Sequence, residues 1–228
     1  MEFSKISIVV PSAHTPEEKQ EFIDMVNNTC GCEHTLYFMV NKEGVGLNQL
    51  YSDMLHKIDD EVIIFMHDDI EFLKSDWGKE ILRMFNENEE YGIIGVAGAK
   101  DYNENDGYWW SSKRKYGQVM HRNNGKTWLT QFSPLLEKDL EEVCVIDGLF
   151  MAVAKNRLGG DFDRNIDGFH FYDITFCLNN FLSKWCKIGV TTNIRILHNS
   201  VGNLDESWHK AKKYVLTKYY DNLPISVK

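Results

Sequence analysis

Two adjacent carboxylates, Asp68 and Asp69, follow directly on the apolar run Val62-Ile-Ile-Phe-Met66. Paired acidic oxygens suit a hard divalent cation, Mg2+ or Mn2+, which keeps coordination positions open for phosphate oxygens. Taken alone, the segment also fits a solvated strand end that happens to be acidic. His198 closes a short apolar run (194–197) far along the chain and by itself reads as a histidine capping a strand end. Asp147-Gly148 follows another apolar stretch, where glycine permits either a close backbone approach to a ligand or a tight turn.

The elements that position these residues follow from periodicity. The five apolar residues before Asp68 read as a strand buried on both faces, as in a parallel sheet. Ligands of open α/β sheets gather beyond the carboxyl ends of such strands. A β-branched strand at 6–10 ends in Pro11-Ser12, and Thr15-Pro16-Glu17-Glu18 reads as an N-cap, a first-turn proline and early acidic residues of a helix reaching about 28. A strand at 36–40 ends in a polar turn beginning at Asn41. Helical spacing at 48–58 and 77–85 and a strand at 93–97 complete the first half. Strand and helix in alternation predict right-handed βαβ units in a doubly wound, mostly parallel sheet flanked by helices.

That rhythm breaks between 100 and 142, a stretch rich in Asn, Asp, Gly, Tyr and Trp. Such a long irregular insert reads as a functional loop or lid. Order returns with strands at 143–146 and 149–154, a helix at 173–182, short strands at 188–190 and 194–197, and a basic, aromatic tail helix at 207–220. With no linker or repeat, the 228 residues read as one domain.

The charge balance is acidic, 34 Asp+Glu against 25 Lys+Arg, which argues against a broad nucleic-acid surface. Five cysteines form an odd set without zinc-type spacing, and Cys30-Gly-Cys32 is one residue too close for a CxxC motif. Idle thiols in a reducing compartment fit them. The N-terminus lacks a signal-type region, and no apolar run approaches a membrane span. A cytoplasmic location, with peripheral contact at the inner membrane face as a variant, is the expectation.

Together these segments resemble glycosyltransferase family 2 on the GT-A fold, closest to its smaller bacterial glycosyltransferase-like branch. The residues carrying the likeness are Ile6-Ser-Ile-Val-Val-Pro-Ser12, Gly46-Leu-Asn-Gln-Leu-Tyr51, Phe65-Met-His-Asp-Asp-Ile70, Val145-Ile-Asp-Gly-Leu-Phe-Met151, Phe162-Asp163 followed by Gly168-Phe-His-Phe-Tyr-Asp173, and Leu197-His-Asn-Ser200. Each is weak alone; their order spans nearly the whole chain.

The resemblance implies a nucleotide-binding half (1–100) and an acceptor-binding half (101–228) with a long acceptor-side loop. It implies a metal-dependent, inverting transfer of a hexose-type sugar from a nucleotide-diphosphate sugar to a hydroxyl on a glycan or lipid-linked acceptor, as in surface polysaccharide synthesis. Asp69, Asp68 and His198 become the metal set, although the motif reads His-Asp-Asp rather than Asp-x-Asp, so either carboxylate is open as the direct ligand. Asp173 becomes the general base, with Tyr172 where relatives often carry Glu; a plain helix cap is its alternative. A carboxylate at a helix N-terminus is expected to keep a low pKa. Pro11, Ser12, His14, Asn41, Asn48, Asp68, Asp147 and Gly148 fall on the nucleotide and donor side, and Asn41 replaces an Asp that reads the base in relatives. Trp109, Trp110 and Tyr172 fall on the acceptor side, where adjacent exposed tryptophans suit stacking on sugar rings or packing of the lid. His121, Arg122 and Trp128 share that surface. The tail helix reads as a membrane-edge helix, as a lid whose Lys212 or Lys213 reaches the diphosphate, or as a solvated helix with one packed face. Rival functions are a non-catalytic nucleotide-sugar or glycan-binding module and a sugar nucleotidyltransferase. The latter wants a glycine- and lysine-rich loop after the first strand, which Ser12-Ala-His-Thr-Pro16 does not provide.

Overall fold

The computed structural model of the protein describes residues 2–103, 107–202 and 204–227. The first half alternates as periodicity predicts. It runs β1 (Lys5–Ser12), α1 (Gln20–Thr29), β2 (Glu33–Val40), α2 (Leu47–Lys57), β3 (Val62–Met66), a short β4 (Ile70–Phe72), α3 (Trp77–Glu87) and β5 (Tyr91–Gly95). The expected N-cap exists as a reciprocal capping box, with Thr15 N donating to Glu18 Oε2 at 2.7 Å and Glu18 N to Thr15 Oγ1 at 3.4 Å. The turn it starts is irregular, however, and regular helix begins only at Gln20.

The stretch expected to be irregular contains a long hairpin. After β6 (Ala97–Ala99) and β7 (Asp101–Tyr102), β8 (Lys115–Asn123) and β9 (Lys126–Gln131) form a hairpin. Asn124 and Gly125 join them at φ 49° and 73°, the left-handed pair that a two-residue turn requires. That Asn-Gly dipeptide was the available signal. The chain continues through β10 (Glu141–Val143), β11 (Val145–Ile146), β12 (Phe150–Ala154), α4 (Tyr172–Ser183), β13 (Lys187–Val190), β14 (Ile196–His198), α5 (Glu206–Lys218) and β15 (Ile225–Ser226).

The main sheet has the order β10-β13-β5-β12-β3-β1-β2. Strands β1, β2, β3, β5 and β13 run one way, while β12 and β10 run against them. The sheet is therefore mostly parallel, with β12 entering from the second half to fill the slot between β3 and β5. A second sheet, β11-β6-β8-β14-β4 with β9 beside β8, lies next to it, and β15 pairs with β7. β3 is buried at every position, flanked by β1 and β12, which explains its unbroken apolar sequence. Tyr51 packs on Phe65 at 4.7 Å between ring centres, and Phe162 stacks on Phe176 at 4.1 Å. Full burial of each such ring is worth roughly 1.5–3 kcal/mol.

Two pairings place the functional side chains. β1 and β3 are parallel with Val9 opposite Phe65, so the residues following them emerge at one edge. β14 runs antiparallel to β4 with His198 opposite Ile70, and Asn199 N donates to Asp69 O at 2.8 Å. Residues 130 positions apart thus become neighbours. Among the described residues no helix is long and apolar enough to cross a membrane.

Candidate active site

Two hollows meet at His67 and Phe169. The smaller, about 240 Å³, lies beyond β1 and β3 and is lined by Pro11, Ser12, Asn41, Tyr51, Asp68 and Asp69 among others. The larger, about 460 Å³, is walled mainly by rings and aliphatic side chains from the second half, including Trp109, Trp110, Phe132, Phe171 and Trp208, with Asp147, Asp173 and His198 along its floor.

The neighbouring carboxylates have different surroundings. Asp68 Oδ2 accepts from Ser12 Oγ at 2.5 Å and lies 3.2 Å from Lys19 Nζ, which also donates to the Asp68 carbonyl at 3.0 Å. Asp69 instead faces two imidazoles. Its Oδ1 is 3.3 Å from His198 Nε2 and 3.8 Å from His67 Nδ1. The first is not aligned as a hydrogen bond and the second is too long for one, so among the described residues this buried oxygen has no hydrogen-bond partner. Burial alone would raise the Asp69 pKa, yet His198 and then His67 hold it well below the carboxylate range. Burial lowers the His67 pKa, Asp69 only partly opposing it. For His198 burial acts downward too, and the Asp69 carboxylate outweighs it, so its pKa rises.

One nitrogen of each imidazole and the Asp69 oxygen lie within 4.8 Å of one another. Ligand bonds near 2.0–2.2 Å put neighbouring donor atoms roughly 3–3.5 Å apart, and a buried carboxylate oxygen without a donor lacks what an ion would supply. The donor set of two imidazoles and one carboxylate suits Mn2+ better than Mg2+. The residues present therefore fit a divalent cation. His67 and Lys19 escaped the sequence reading. His67 could have been suspected from its place beside the acidic pair, while nothing in sequence points from Lys19 to Asp68.

A chain of contacts links the imidazoles to the start of α4. His67 Nε2 and Tyr172 OH are 2.7 Å apart, fixing the ring so that Nδ1 turns towards Asp69. The Tyr172 ring lies over Gly148, where a Cβ would sit 2.3 Å from its hydroxyl oxygen. The glycine thus makes room for the tyrosine, and it also borders the larger hollow. Tyr172 is buried and its hydroxyl meets His67, while the residue also borders the larger hollow. Asp173 accepts from Gly148 N at 2.9 Å and from Ile174 N at 2.8 Å. Its pKa is nevertheless pushed up to about 7, by burial first and the Asp147 carboxylate second. The expected low value is overturned because desolvation and a like charge outweigh the helix terminus. Asp147 itself accepts from Leu149 N at 3.0 Å.

The other expected residues are scattered. Pro11 and Ser12 line the smaller hollow. His14 is exposed and pairs loosely with Glu18 at 3.9 Å. Asn41 closes its own turn, exchanging bonds with Val45 at 2.8 and 2.9 Å, and still borders the hollow. Asn48 is fully buried, donating to the Ile166 carbonyl at 3.4 Å, so it lies beneath the cleft, not on it. Of the two tryptophans expected to be exposed only Trp110 is, at 39%; Trp109 is 3% exposed and packs edge-on against Phe132. Trp110 stacks on Tyr108 at 4.7 Å. His121 stacks on Trp128, and Arg122 pairs with Glu71 at 2.7 Å. In the tail helix Trp208, Ala211 and Val215 are buried, and Lys212 lies over the Tyr108 and Trp208 rings.

The pattern of a family described as "glycosyltransferase like family" matches residues 13–222. No curated protein matches the chain by sequence. Among solved structures, the mannosyltransferase PcManGT of Pyrobaculum calidifontis, in complex with GDP-Man and Mn2+, aligns with a TM-score of 0.55 at 9% identity, covering 96% of this chain and 64% of that one. GalNAc-T7 with UDP, GalNAc and Mn2+ aligns at 0.54 and 13% identity over 96% of this chain and 48% of its own. A Drosophila β1,4-galactosyltransferase 7 variant with manganese, UDP-Gal and xylobiose aligns at 0.50 and 11% identity, covering 91% and 73%. The chain thus spans about half the length of GalNAc-T7 and under two thirds of the mannosyltransferase. These likenesses identify the fold as that of GT-A glycosyltransferases.

Proposed function

The chain belongs to the glycosyltransferase-like family, and from that premise we propose a metal-dependent, inverting transferase that moves a sugar from a nucleotide-diphosphate sugar to an acceptor hydroxyl, with surface-glycan synthesis as its setting. The observation that carries this reading is Asp69 Oδ1, buried between His67 and His198 and without a hydrogen-bond donor among the described residues, where the two hollows join. Asp69 and His198, with His67 beside them, would hold Mn2+ or Mg2+, which when bound neutralises the departing diphosphate as a Lewis acid.

The remaining roles are this chain's own. Ser12, Lys19 and Asp68 form a polar wall on the nucleotide side, with Pro11 and Asn41 bordering it. Asp173, near neutrality at about 7, is suited to take the acceptor proton at Oδ1 or Oδ2, assistance worth roughly 100- to 10,000-fold. One base acting opposite the leaving group gives inversion. The aromatic wall around Trp110 excludes water and offers a ring for the acceptor to stack upon. That division supports a nucleotide-binding half over 1–100 and an acceptor-binding half over 101–228. A glycan or lipid-linked acceptor fits the apolar hollow. We place the activity at the cytoplasmic side, in keeping with five free thiols.

Thermal melting with UDP, GDP and CDP, with and without Mn2+, tests the proposal. One nucleotide should stabilise the protein by about 2.7 kcal/mol at a hundredfold excess over its dissociation constant, and only with metal. Asp69→Ala should abolish that metal dependence. Metal-dependent stabilisation that survives in Asp69→Ala overturns the site.

A further inference from the structure

Cys30-Gly31-Cys32 lies between α1 and β2 and lines neither hollow. α1 closes on Cys30 in helical geometry, and Gly31 then turns the chain at φ +80°, where a Cβ would stand 2.4 Å from Asp76 Oδ1. Only glycine fits there, and the turn brings Cys30 Sγ and Cys32 Sγ to 3.6 Å. Cys30 is buried and Cys32 partly open. Both sulfurs rest on the first turn of α3. A Cβ on Gly78 would lie 2.5 Å from Cys30 Sγ and 2.9 Å from Cys32 Sγ, and Gly78 N donates to the Cys30 carbonyl at 2.9 Å. Lys79, which also pairs with Asp76 at 2.9 Å, adds positive charge beside Cys32.

We propose that Cys30 and Cys32 form a thiol–disulfide exchange site for low-molecular-weight disulfides, with Cys32 the attacking sulfur and Cys30 the resolving one. The Cys32 thiolate attacks one sulfur of R–S–S–R, forming a Cys32–S–R bond and releasing RS⁻. Cys30 then gives its proton to solvent and attacks Cys32 Sγ, expelling the second RS⁻ and closing a Cys30–Cys32 disulfide. The protein dithiol loses two electrons, and the small disulfide gains them as two thiols. The electrostatics agree with this order. Hydrogen bonding from Cys30 lowers the Cys32 pKa against burial, with Lys79 assisting, while the same bond and burial raise that of Cys30. The attacking role belongs to the more open, more acidic thiol.

The test uses the full chain, reduced and then exposed to oxidised glutathione, with alkylation and peptide mass mapping as readout. The expected product is one intramolecular link between Cys30 and Cys32, with Cys144, Cys177 and Cys186 still free thiols. Cys30→Ser should stop at a glutathione adduct on Cys32, and Cys32→Ser should carry none. On the unsubstituted native protein, iodoacetamide at pH 7 should label Cys32 on the order of tenfold faster than Cys186, a half-buried thiol pushed up to about 11 by burial. Equal labelling rates, or glutathione treatment that leaves both Cys30 and Cys32 reduced, overturn the proposal whether or not the serine variants fold.

Discussion

Asp173→Asn separates a catalytic base from a helix cap, because the two roles carry opposite signatures in pH. Burial and the Asp147 charge raise the Asp173 pKa to about 7. A base with that value is about one tenth ionised at pH 6 and about nine tenths at pH 8, so kcat/KM at saturating Mn2+ should rise roughly tenfold between them. Asp147→Asn removes the second cause of the shift and should move this limb to lower pH. Stability runs the other way. A carboxyl whose folded pKa is raised favours the fold below its unfolded pKa, near 3.8, and that support is lost as pH rises through 7. About three units correspond to roughly 4 kcal/mol, and access from the open cleft reduces this to roughly 1–3 kcal/mol. Asparagine keeps an acceptor for one of the two backbone donors while shedding the charge. Without metal, the melting temperature of Asp173→Asn relative to the natural protein should therefore climb between pH 5 and 8, at roughly 2–4 °C per kcal/mol for a chain of this size, while turnover disappears. A flat rate profile from pH 6 to 8, or substantial turnover in Asp173→Asn, refutes the assignment.

Other expectations follow from the same contacts. Tyr172→Phe deletes the hydroxyl that orients His67 and should weaken Mn2+ binding on the order of tenfold, read by paramagnetic resonance titration. Gly148→Ala drives a methyl into the Tyr172 hydroxyl at 2.3 Å and should cost roughly 1–3 kcal/mol of stability, partly recovered in the double variant with Tyr172→Phe; an unchanged denaturation midpoint contradicts the packing. Trp110→Ala should raise the acceptor KM while leaving slow hydrolysis of the donor sugar unaltered, and equal loss in both assays argues against stacking.

What could be read from sequence was whatever follows from local pattern. The apolar run at Val62–Met66 located the acidic pair because a strand covered on both faces leaves no polar position before its end. Alternation of strand and helix up to β5 fixed the fold class for the same reason. Beyond 100 the pattern weakened, and composition suggested an irregular loop where a hairpin turning at Asn124-Gly125 exists. Burial of Trp109 and Asn48 was beyond reach, because which face of an irregular segment turns inward depends on distant partners such as Phe132 and Ile166. Side-chain pairing across the cleft was equally hidden. Lys19 before α1 meets Asp68 after β3, and His67 after β3 meets Tyr172 at the start of α4, only through the tertiary fold. The Asp173 pKa departs from expectation because a helix terminus is visible in sequence, whereas the burial and the Asp147 charge that raise it are not.

Anomalous diffraction at the manganese edge, from crystals grown with Mn2+ and the nucleotide selected by melting, bears most directly on the metal site. Expected is a peak within bonding distance, roughly 2.0–2.3 Å, of Asp69 Oδ1 and His198 Nε2, with diphosphate oxygens completing the shell and no peak in Asp69→Asn. A nucleotide bound with no anomalous peak between Asp69 and His198, or with the ion held elsewhere, contradicts it.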